Sequence, residues 1–259
     1  MATVLLGTLY PLLMEATGLA SLSVGAPYFN RVLYPLLLLG MVLMGLAPFS
    51  LWGKTVFPSR RHWRYALVSF ASAVILSLFF TLHWNTLVIL NLTLVFWVLL
   101  SLPSYFLDKL GMSFAHGGFA LVVLSIALSS SFSQEREVRL HTGESVNLGP
   151  YAIRFVSVSG LEGSNFRGIG ARVAVTRRGQ LITTLYPEKR IYPVRDMVMS
   201  KVDIYPALFH DLYVALGEPF TEEEWSMRLY YKPFIRWLWF GGFCMAFGGL
   251  ISLLGARKK

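Results

Sequence analysis

The stretch LGMSFAHGGFALVVLSIALSSSFSQEREVRLHTG, residues 110–143, contains two different patterns, one after the other. Residues 110–134 contain no Asp, Glu, Lys or Arg, and a run of that length can cross a hydrocarbon core of about 30 Å as a helix. From Glu135 onward, apolar and polar residues alternate, as they do in a half-buried β-strand. The stretch therefore predicts a membrane helix that leads directly into a β-rich domain.

The first of these patterns recurs along the rest of the chain. Of the 259 residues, 55% are hydrophobic and only 14% are charged, which is outside the range of ordinary soluble domains. The other uncharged runs are residues 1–14, 32–53, 65–107 and 237–256. Residues 65–107 are long enough for two helices with a break at 83–85. We expect an α-helical polytopic membrane protein with about five to six transmembrane helices, of which the first is partial.

The formal charge of +9 is concentrated at three places. Most of it lies in a loop at residues 54–64, which contains Lys54, Arg60, Arg61 and Arg64, and in the tail at 257–259, while Lys109 next to Asp108 marks a third site. Counting the helices puts all three places on the same side of the membrane. By the positive-inside rule that side is the cytoplasm, or the matrix in an organelle.

Residues 135–232 lie between the last two predicted spans and therefore on the outer side. They carry 13 basic and 12 acidic residues, so they have no strong positive field to attract nucleic acid. We predict three regions: a transmembrane helical region at 1–134 that includes the helix 111–133, an extracytoplasmic β-rich domain at 135–232, and a final transmembrane helix with a basic cytoplasmic tail at 233–259.

Strand patterns dominate the outer region. We expect a small antiparallel sheet or a partial barrel, with the segment TRRGQ at 176–180 as a hairpin turn. Residues 197–218 either continue the sheet or cap it with a short helix. Residues 222–236 are predicted to return the chain to the membrane. Their aromatic side chains, together with the next turn, would form an interfacial anchor of Trp225, Tyr230, Tyr231, Trp237 and Trp239.

The sequence contains no recognisable catalytic motif. It has no phosphate-binding glycine loop, no HExxH and no nucleophile elbow, so we assign no catalytic residue. The single cysteine, Cys244, excludes a disulfide within the chain. The predicted spans also lack carboxylates, which argues against an ion pump. The paired glycines in GGFCMAFGGL, residues 241–250, fit close packing between helices.

His116 is the candidate binding residue, because it lies inside a predicted membrane helix. An imidazole at that depth needs a partner, such as a hydroxyl or backbone group, or a metal. Gly117 and Gly118 remove side-chain bulk beside it, and Ala120 and Val123 continue its face. Such small residues would let a flat macrocycle approach the helix, but tight helix packing needs them as well. Haem ligation and a packing histidine both stay open, whereas zinc lacks a third and fourth ligand within reach.

The other four histidines give no metal site. His62 lies in the basic cytoplasmic loop and is expected to be solvated, and His83 lies at the outer tip of a helical hairpin. His141 and His210 belong to the outer domain, and neither has a neighbouring Cys or carboxylate pattern of the kind zinc sites use.

Six sequence blocks, in this order, resemble a known family. They are GTLYPLL (7–13), SVGAPYFN (23–30), AHGGFAL (115–121), YPEKRIY (186–192), DLYVALGE (211–218) and RLYYKPFIRWLWFGG (228–242). The chain resembles, over essentially its whole length, the C-terminal part of the CcmF-type subunit of the cytochrome c maturation haem lyase.

The resemblance implies a function in bacterial cytochrome c biogenesis. Together with a CcmH-type apocytochrome-binding subunit, proteins of this family move haem from a CcmE-type haem chaperone to apocytochrome c at the outer face of the cytoplasmic membrane. They also hold a b-type haem in the membrane through two histidines on different helices. One of these belongs to the block that maps onto His116, which the resemblance therefore identifies as an axial ligand of the haem iron.

The tryptophan-rich outer segment and the first membrane ligand of the family have no counterpart in this sequence. The gene is therefore split, or the sequence is one piece of a longer protein. We expect the second ligand to come from another chain, an N-terminal CcmF-type subunit, and the remaining contacts to be with membrane lipid and not with nucleic acid. The alternative function is a non-enzymatic membrane scaffold or transporter subunit, in which His116 only packs.

Overall fold

The structure is a computed structural model that describes residues 2–18, 25–46, 60–79, 86–104, 109–194, 197–221 and 223–256. The chain forms two compact units. The first is mainly helical and consists of Met1–Leu124 and Gly241–Lys259, and the second is mainly β-structure and consists of Ser125–Phe240.

Six α-helices lie in the described residues and overlap the uncharged runs, although the second begins at Ala26, before its predicted start at residue 32, and includes Arg31. Their bounds are α1 Ala2–Ala16, α2 Ala26–Leu46, α3 Arg60–Phe79, α4 Thr86–Ser101, α5 Leu110–Phe132 and α6 Ile235–Ala256. Of these, α5 and α6 are long and apolar enough to cross a membrane, while the apolar stretches of α1 to α4 in the described residues are shorter. The predicted number of spans therefore stays a prediction.

Helix α3 begins earlier than the sequence predicts. Arg60, Arg61, His62 and Arg64, which we expected in a loop, lie in its first turns, so the loop prediction is wrong for these residues. Arginine is a good helix former, and its long stem can carry the charge away from an apolar surface, so a charged start does not stop the helix. Lys54 and the break at 83–85 lie outside the described residues.

The helical unit has its own apolar core. Helices α2, α4 and α5 meet around a cluster of buried residues: Met41, Leu94, Val95, Val98, Ala120 and Val123. Asn91 of α4 is a buried polar residue of the same unit. Its amide donates to the Tyr34 hydroxyl and to the Leu87 carbonyl oxygen, both at 2.7 Å. Its burial is thus offset by hydrogen bonds to its own helix and to α2.

In the described part of the second unit, ten strands, all paired antiparallel, form two sheets. Their bounds are β1 Gln134–His141, β2 Ser145–Leu148, β3 Tyr151–Glu162, β4 Arg167–Arg177, β5 Gln180–Leu185, β6 Glu188–Tyr192, β7 Met197–Lys201, β8 Asp203–Pro206, β9 His210–Pro219 and β10 Glu224–Pro233. One sheet has the order β1-β10-β9-β8, and the other has the order β2-β3-β4-β6-β7 with β5 paired to β4.

The two sheets share one hydrophobic core. Alternate residues of β3, β9 and β10 enter it, as the two-residue period of a strand requires: Tyr151, Ile153, Phe155, Leu212, Val214, Leu216, Trp225, Met227 and Leu229. The predicted β-rich domain is therefore confirmed, but it is a two-sheet sandwich and not a single small sheet or partial barrel. The single-sheet expectation is wrong because each sheet buries only one face and needs the other to cover it.

The predicted hairpin turn at 176–180 is confirmed. Arg177 pairs with Gln180, and the two residues between them, Arg178 and Gly179, have positive φ angles of 51° and 79°. This is the conformation of a two-residue type I′ turn, which matches the twist of the flanking strands. Residues 197–218 form β7, β8 and much of β9, so they continue the sheets and form no capping helix.

The prediction that residues 222–236 re-enter the membrane is wrong for most of that segment. Residues 224–233 form β10, and Trp225 is only 5% exposed in the sandwich core. Tyr231 packs against the same core. The segment follows a two-residue period, with bulky side chains on its inner face, and that period suits a strand better than a membrane anchor.

Candidate functional site: the His116 helix

Helix α5 places His116 near its beginning. The helix starts at Leu110, close to the expected start at Gly111. His116 therefore lies roughly 9 Å along the helix axis, at about 1.5 Å per residue. Its side chain is half-buried.

The face of α5 that begins at His116 packs against other helices. Ala120 and Val123, four and seven residues further along, are 0% and 3% exposed. They belong to the buried cluster that Met41 of α2 and Val95 of α4 also form. The expected continuation of the His116 face is therefore a packed helix surface, and it fixes the orientation of α5 around its own axis.

The two glycines that follow His116 have different surroundings. A Cβ on Gly117 would have its nearest contact with the Cδ1 of Leu102 at 3.4 Å, an ordinary packing distance. A Cβ on Gly118 would lie only 2.6 Å from the carbonyl oxygen of Gly241 in α6. Gly118 thus serves the close packing of α5 on α6. The expectation that it makes room beside His116 is wrong, because it lies on a different face of the helix.

A second pair of glycines, Gly111 of α5 and Gly248 of α6, makes the same kind of contact seven residues away along each helix. A Cβ on Gly111 would lie 2.7 Å from the carbonyl oxygen of Gly248, and a Cβ on Gly241 would lie 2.7 Å from that of Gly118. The pairs run in opposite directions along the two helices, so α5 and α6 are antiparallel and cross at backbone contact. This confirms the predicted packing role for two of the glycines in residues 241–250.

Ser113 is buried one turn before His116. Its hydroxyl donates to the carbonyl oxygen of Lys109 at 3.1 Å, which satisfies it within the helix. No group of three or more His, Cys, Asp or Glu residues lies close enough to hold a metal ion in the part of the chain that the structure describes. A zinc ion needs three or four such ligands, whereas a haem brings four nitrogen ligands and needs one side chain on each face.

His116 and Gly117 offer the chemistry of one face of a haem site, namely an imidazole that can bind iron next to a residue without a side chain. A Cβ on Gly117 would have only the Cδ1 of Leu102 near it in the rest of the described chain, at 3.4 Å, and the imidazole is neither fully buried nor fully exposed. Histidine is a common axial ligand of haem iron. His116 would hold the iron from one side, and the haem would supply a one-electron redox centre.

The two histidines of the sandwich lie in separate places. His210 of β9 shares a hydrogen bond with the hydroxyl of Tyr151, with its Nε2 atom 2.6 Å from that oxygen, and its ring centroid lies 5.1 Å from that of Tyr231. Burial lowers the pKa of His210 below 6.5, and the nearby charge of Arg177 lowers this pKa further. His141 lies on the exposed edge of β1, 4.0 Å from the Glu224 carboxylate.

Sequence reasoning assigned no role to His210. Its partner Tyr151 is 59 residues earlier in the chain, and no local pattern links the two. Burial raises the pKa of Tyr151, so its hydroxyl keeps its proton throughout the physiological range. The pair is therefore a neutral hydrogen bond at the edge of the sandwich core.

Comparison with known proteins gives the family of the chain. Residues 131–233 match the family model described as the CcmF C-terminal beta-sandwich. The chain is 38% identical to the cytochrome c-type biogenesis protein CcmF of Pseudomonas fluorescens and 37% identical to that of Escherichia coli, over 99% and 100% of its length. It corresponds to the C-terminal part of the CcmF family.

The chain spans 42% of the length of both CcmF relatives. It is also 35% identical to the cytochrome c-type biogenesis protein NrfE of Haemophilus influenzae, over 98% of its own length and 42% of the relative's. A solved structure named cytochrome c haem lyase CcmF superposes with a TM-score of 0.75 at 24% identity. It covers 96% of this chain and 42% of that one. The CcmF fold thus extends over both units of the chain.

Proposed function

We propose that the chain is the C-terminal component of a cytochrome c maturation haem lyase, and that His116 provides one axial ligand of a b-type haem in the membrane. The observation that carries the proposal is the position of His116. It lies in the block AHGGFAL, on a helix long and apolar enough to cross a membrane. The chain matches CcmF proteins over 99–100% of its own length. The chain would be one subunit of the lyase and not a complete enzyme.

The second ligand would come from an N-terminal CcmF-type subunit. His141 and His210 lie on strands of the sandwich, and His62 lies in the first, arginine-rich turn of α3. None of the three is in the apolar middle of a helix, where a haem inside the membrane needs its ligands. The relatives are more than twice as long as this chain, since it spans 42% of them, and that length leaves room for a second ligand helix.

The same proposal includes a membrane orientation. The chain would lie in the bacterial cytoplasmic membrane with five to six spans, with the sandwich at 135–232 on the outer side and the C-terminus in the cytoplasm. Apocytochrome c is delivered on that outer side. The sandwich would then contact the N-terminal subunit, a CcmH-type apocytochrome-binding subunit or a CcmE-type haem chaperone.

The test is to co-express the chain with its N-terminal partner, purify the complex and record its haem spectrum. His116→Gly should remove or shift the b-type Soret and α bands, because it deletes the ligand. Added imidazole should restore them, because a free imidazole can occupy the space and bind iron. Matched controls are His141→Gly, on an exposed strand, and His62→Gly, in α3. Neither should change the spectrum.

The alternative, a membrane scaffold or transporter in which His116 only packs, makes a different prediction. The complex would then carry no haem, or its spectrum would be unchanged in His116→Gly. A loss of the bands that imidazole does not restore would point to a packing role. A change of the bands in His62→Gly would place the second ligand in this chain.

A further inference from the structure

The loop between β8 and β9 forms hydrogen bonds and a ring contact with the beginning of α6. The indole Nε1 of Trp237 donates to the carbonyl oxygen of Leu208 at 3.0 Å, and the backbone N–H of Phe234 donates to the carbonyl oxygen of Phe209 at 2.7 Å. The rings of Phe209 and Trp237 stack with their centroids 5.8 Å apart. These contacts hold the loop and the first helical turn in one fixed arrangement.

An open cleft of about 250 Å³ lies at this junction, lined by Leu208, Arg236, Trp237 and Phe240. Arg236 provides the only charge in this lining. Its Nε donates to the Asp211 carboxylate at 2.9 Å, and its side chain is 48% exposed whereas that of Asp211 is 10% exposed. The terminal amino groups of the guanidinium can therefore still donate to a ligand. A cleft with apolar walls and one cation suits a molecule with an anionic head and an apolar body.

We propose that this cleft binds an anionic phospholipid, with its phosphate on Arg236 and the upper part of an acyl chain against Trp237 and Phe240. Helix α6 has 22 residues and a length of roughly 33 Å at about 1.5 Å per residue, slightly more than a hydrocarbon core. If it crosses the membrane, its first turn lies at the level of the lipid head groups. Tryptophan and arginine are the residues that typically occupy that level.

The surroundings favour the same ligand. Leu208, Phe209 and Trp239 are 67%, 53% and 68% exposed, although they are large and apolar. Exposed side chains of this kind next to a candidate membrane helix are best covered by acyl chains. The dipole of α6 also places a partial positive charge at its start, beside Arg236.

Asp211 is the acidic group that pairs with Arg236, and its carboxylate accepts hydrogen bonds from two donors of the sandwich unit. The Nε of Arg236 is one, and the hydroxyl of Tyr213 also hydrogen-bonds it. A phosphate would use the opposite edge of the guanidinium. A lipid with a net negative charge should bind more tightly than one whose head group also carries a cation, because the cation would meet the positive charge of Arg236.

The test uses the full chain in nanodiscs that contain equal amounts of phosphatidylglycerol and phosphatidylcholine. Native mass spectrometry then counts the lipids that stay bound after release into detergent. We expect about a fivefold preference for phosphatidylglycerol, the size of effect of one basic residue near a membrane surface. The variant Asp211→Asn with Arg236→Gln should abolish the preference, because it removes the cation without leaving a buried carboxylate unpaired.

The matched control is Glu137→Gln with Arg228→Gln, which removes another arginine–carboxylate pair of the same sandwich, 3.3 Å apart. It should keep the preference. If both double variants lose it equally, or if neither does, the cleft is not the lipid site. Inorganic phosphate at matched concentration should not displace phosphatidylglycerol. Displacement would mean that the cleft recognises free phosphate and not a lipid.

A second variant guards against a folding defect in the first. Phe240→Ala removes one apolar wall of the cleft and leaves the ion pair of Arg236 in place. Thermal unfolding of each variant shows whether the sandwich is intact. Retention of both lipids should fall in Phe240→Ala, and unchanged retention there would overturn the proposal even if the double variant fails to fold.

Discussion

At the scale of single residues, two tryptophans predicted to act alike differ in their environment. Trp225 is 5% exposed in the sandwich core, and Trp239 is 68% exposed on α6. We expect Trp225→Ala to lower the free energy of unfolding by about 3–5 kcal/mol, through lost burial and the cavity left behind. Trp239→Ala should change it by no more than about 0.5 kcal/mol. Thermal unfolding in detergent, followed by the circular dichroism of the β-strands, would measure both variants. Equal effects would contradict the burial of Trp225 in the sandwich core.

His210 should make the sandwich less stable in mild acid. Its pKa is below 6.5 in the folded state, mainly because of burial, so the folded protein binds this proton less readily than the unfolded chain does. Stability is therefore complete above about pH 6.5 and falls as the pH drops toward the lower pKa of the folded state. Arg177 strengthens the effect and Asp211 opposes it.

His210→Gln should flatten this dependence, because glutamine can still bond to Tyr151 but does not titrate. The measurement is the melting temperature of the sandwich between about pH 5 and 7.5, the range in which an ordinary histidine titrates. Glu188 acts in the same direction but at lower pH, because a hydrogen bond from Arg190 holds its pKa below 4.5. An unchanged pH profile in His210→Gln would contradict the role given to this histidine.

At the scale of elements, a Gly→Ala substitution should destabilise the contact between α5 and α6 only where the glycine lies at that contact. Gly118→Ala would push a Cβ to 2.6 Å from the Gly241 carbonyl oxygen, so the helices must separate. We expect a loss of about 1–3 kcal/mol, as for other overpacked sites. In Gly242→Ala the new Cβ has no neighbour within 4 Å. This control should be neutral or more stable by up to about 1 kcal/mol, because alanine favours a helix.

Unfolding of the full chain in detergent would compare the two variants directly. Equal stability of Gly118→Ala and Gly242→Ala would contradict the backbone contact between the helices. Gly118→Ala leaves His116 unchanged, so the haem binding proposed for His116 can be measured separately in this variant. A partial loss of haem there would reflect a shift of the helix and not a lost ligand.

The sequence predicts each element better than the contacts between elements. Uncharged runs locate all six described helices, and alternation locates the strands, because both patterns are local. The split into two sheets cannot be predicted this way. Strand β1 pairs with β10 from the far end of the domain, with Val138 opposite Met227, and only the shared core determines that pairing.

The candidate site divides in the same way. The packed face of Ala120 and Val123 follows from their spacing after His116, and the structure confirms it. The partner of Gly118 does not follow, because spacing along α5 carries no information about which helix lies opposite. Trp225 was misplaced for a related reason, since an aromatic residue just before a membrane helix suits both an interfacial anchor and a strand that ends at the helix.

At the scale of the whole molecule, much apolar surface is left uncovered. On α6, Trp239 and Phe243 are 68% and 71% exposed, and on α1 Leu6 and Leu13 are 61% and 62% exposed. Apolar surfaces of this extent mark contacts with lipid or with another protein. Both environments belong to the proposed haem lyase.

The proposed orientation can be tested by labelling cysteines from one side of the membrane. Val194, two residues after the end of β6, is 94% exposed. Cys244 is the single native cysteine. In a Cys244→Ser background, Val194→Cys should react with a membrane-impermeant maleimide in spheroplasts, because the proposed orientation places the sandwich on the outer side. A cysteine appended after Lys259 should react only once the membrane is opened. The reverse pattern would invert the orientation and remove the sandwich from the side on which apocytochrome c is delivered.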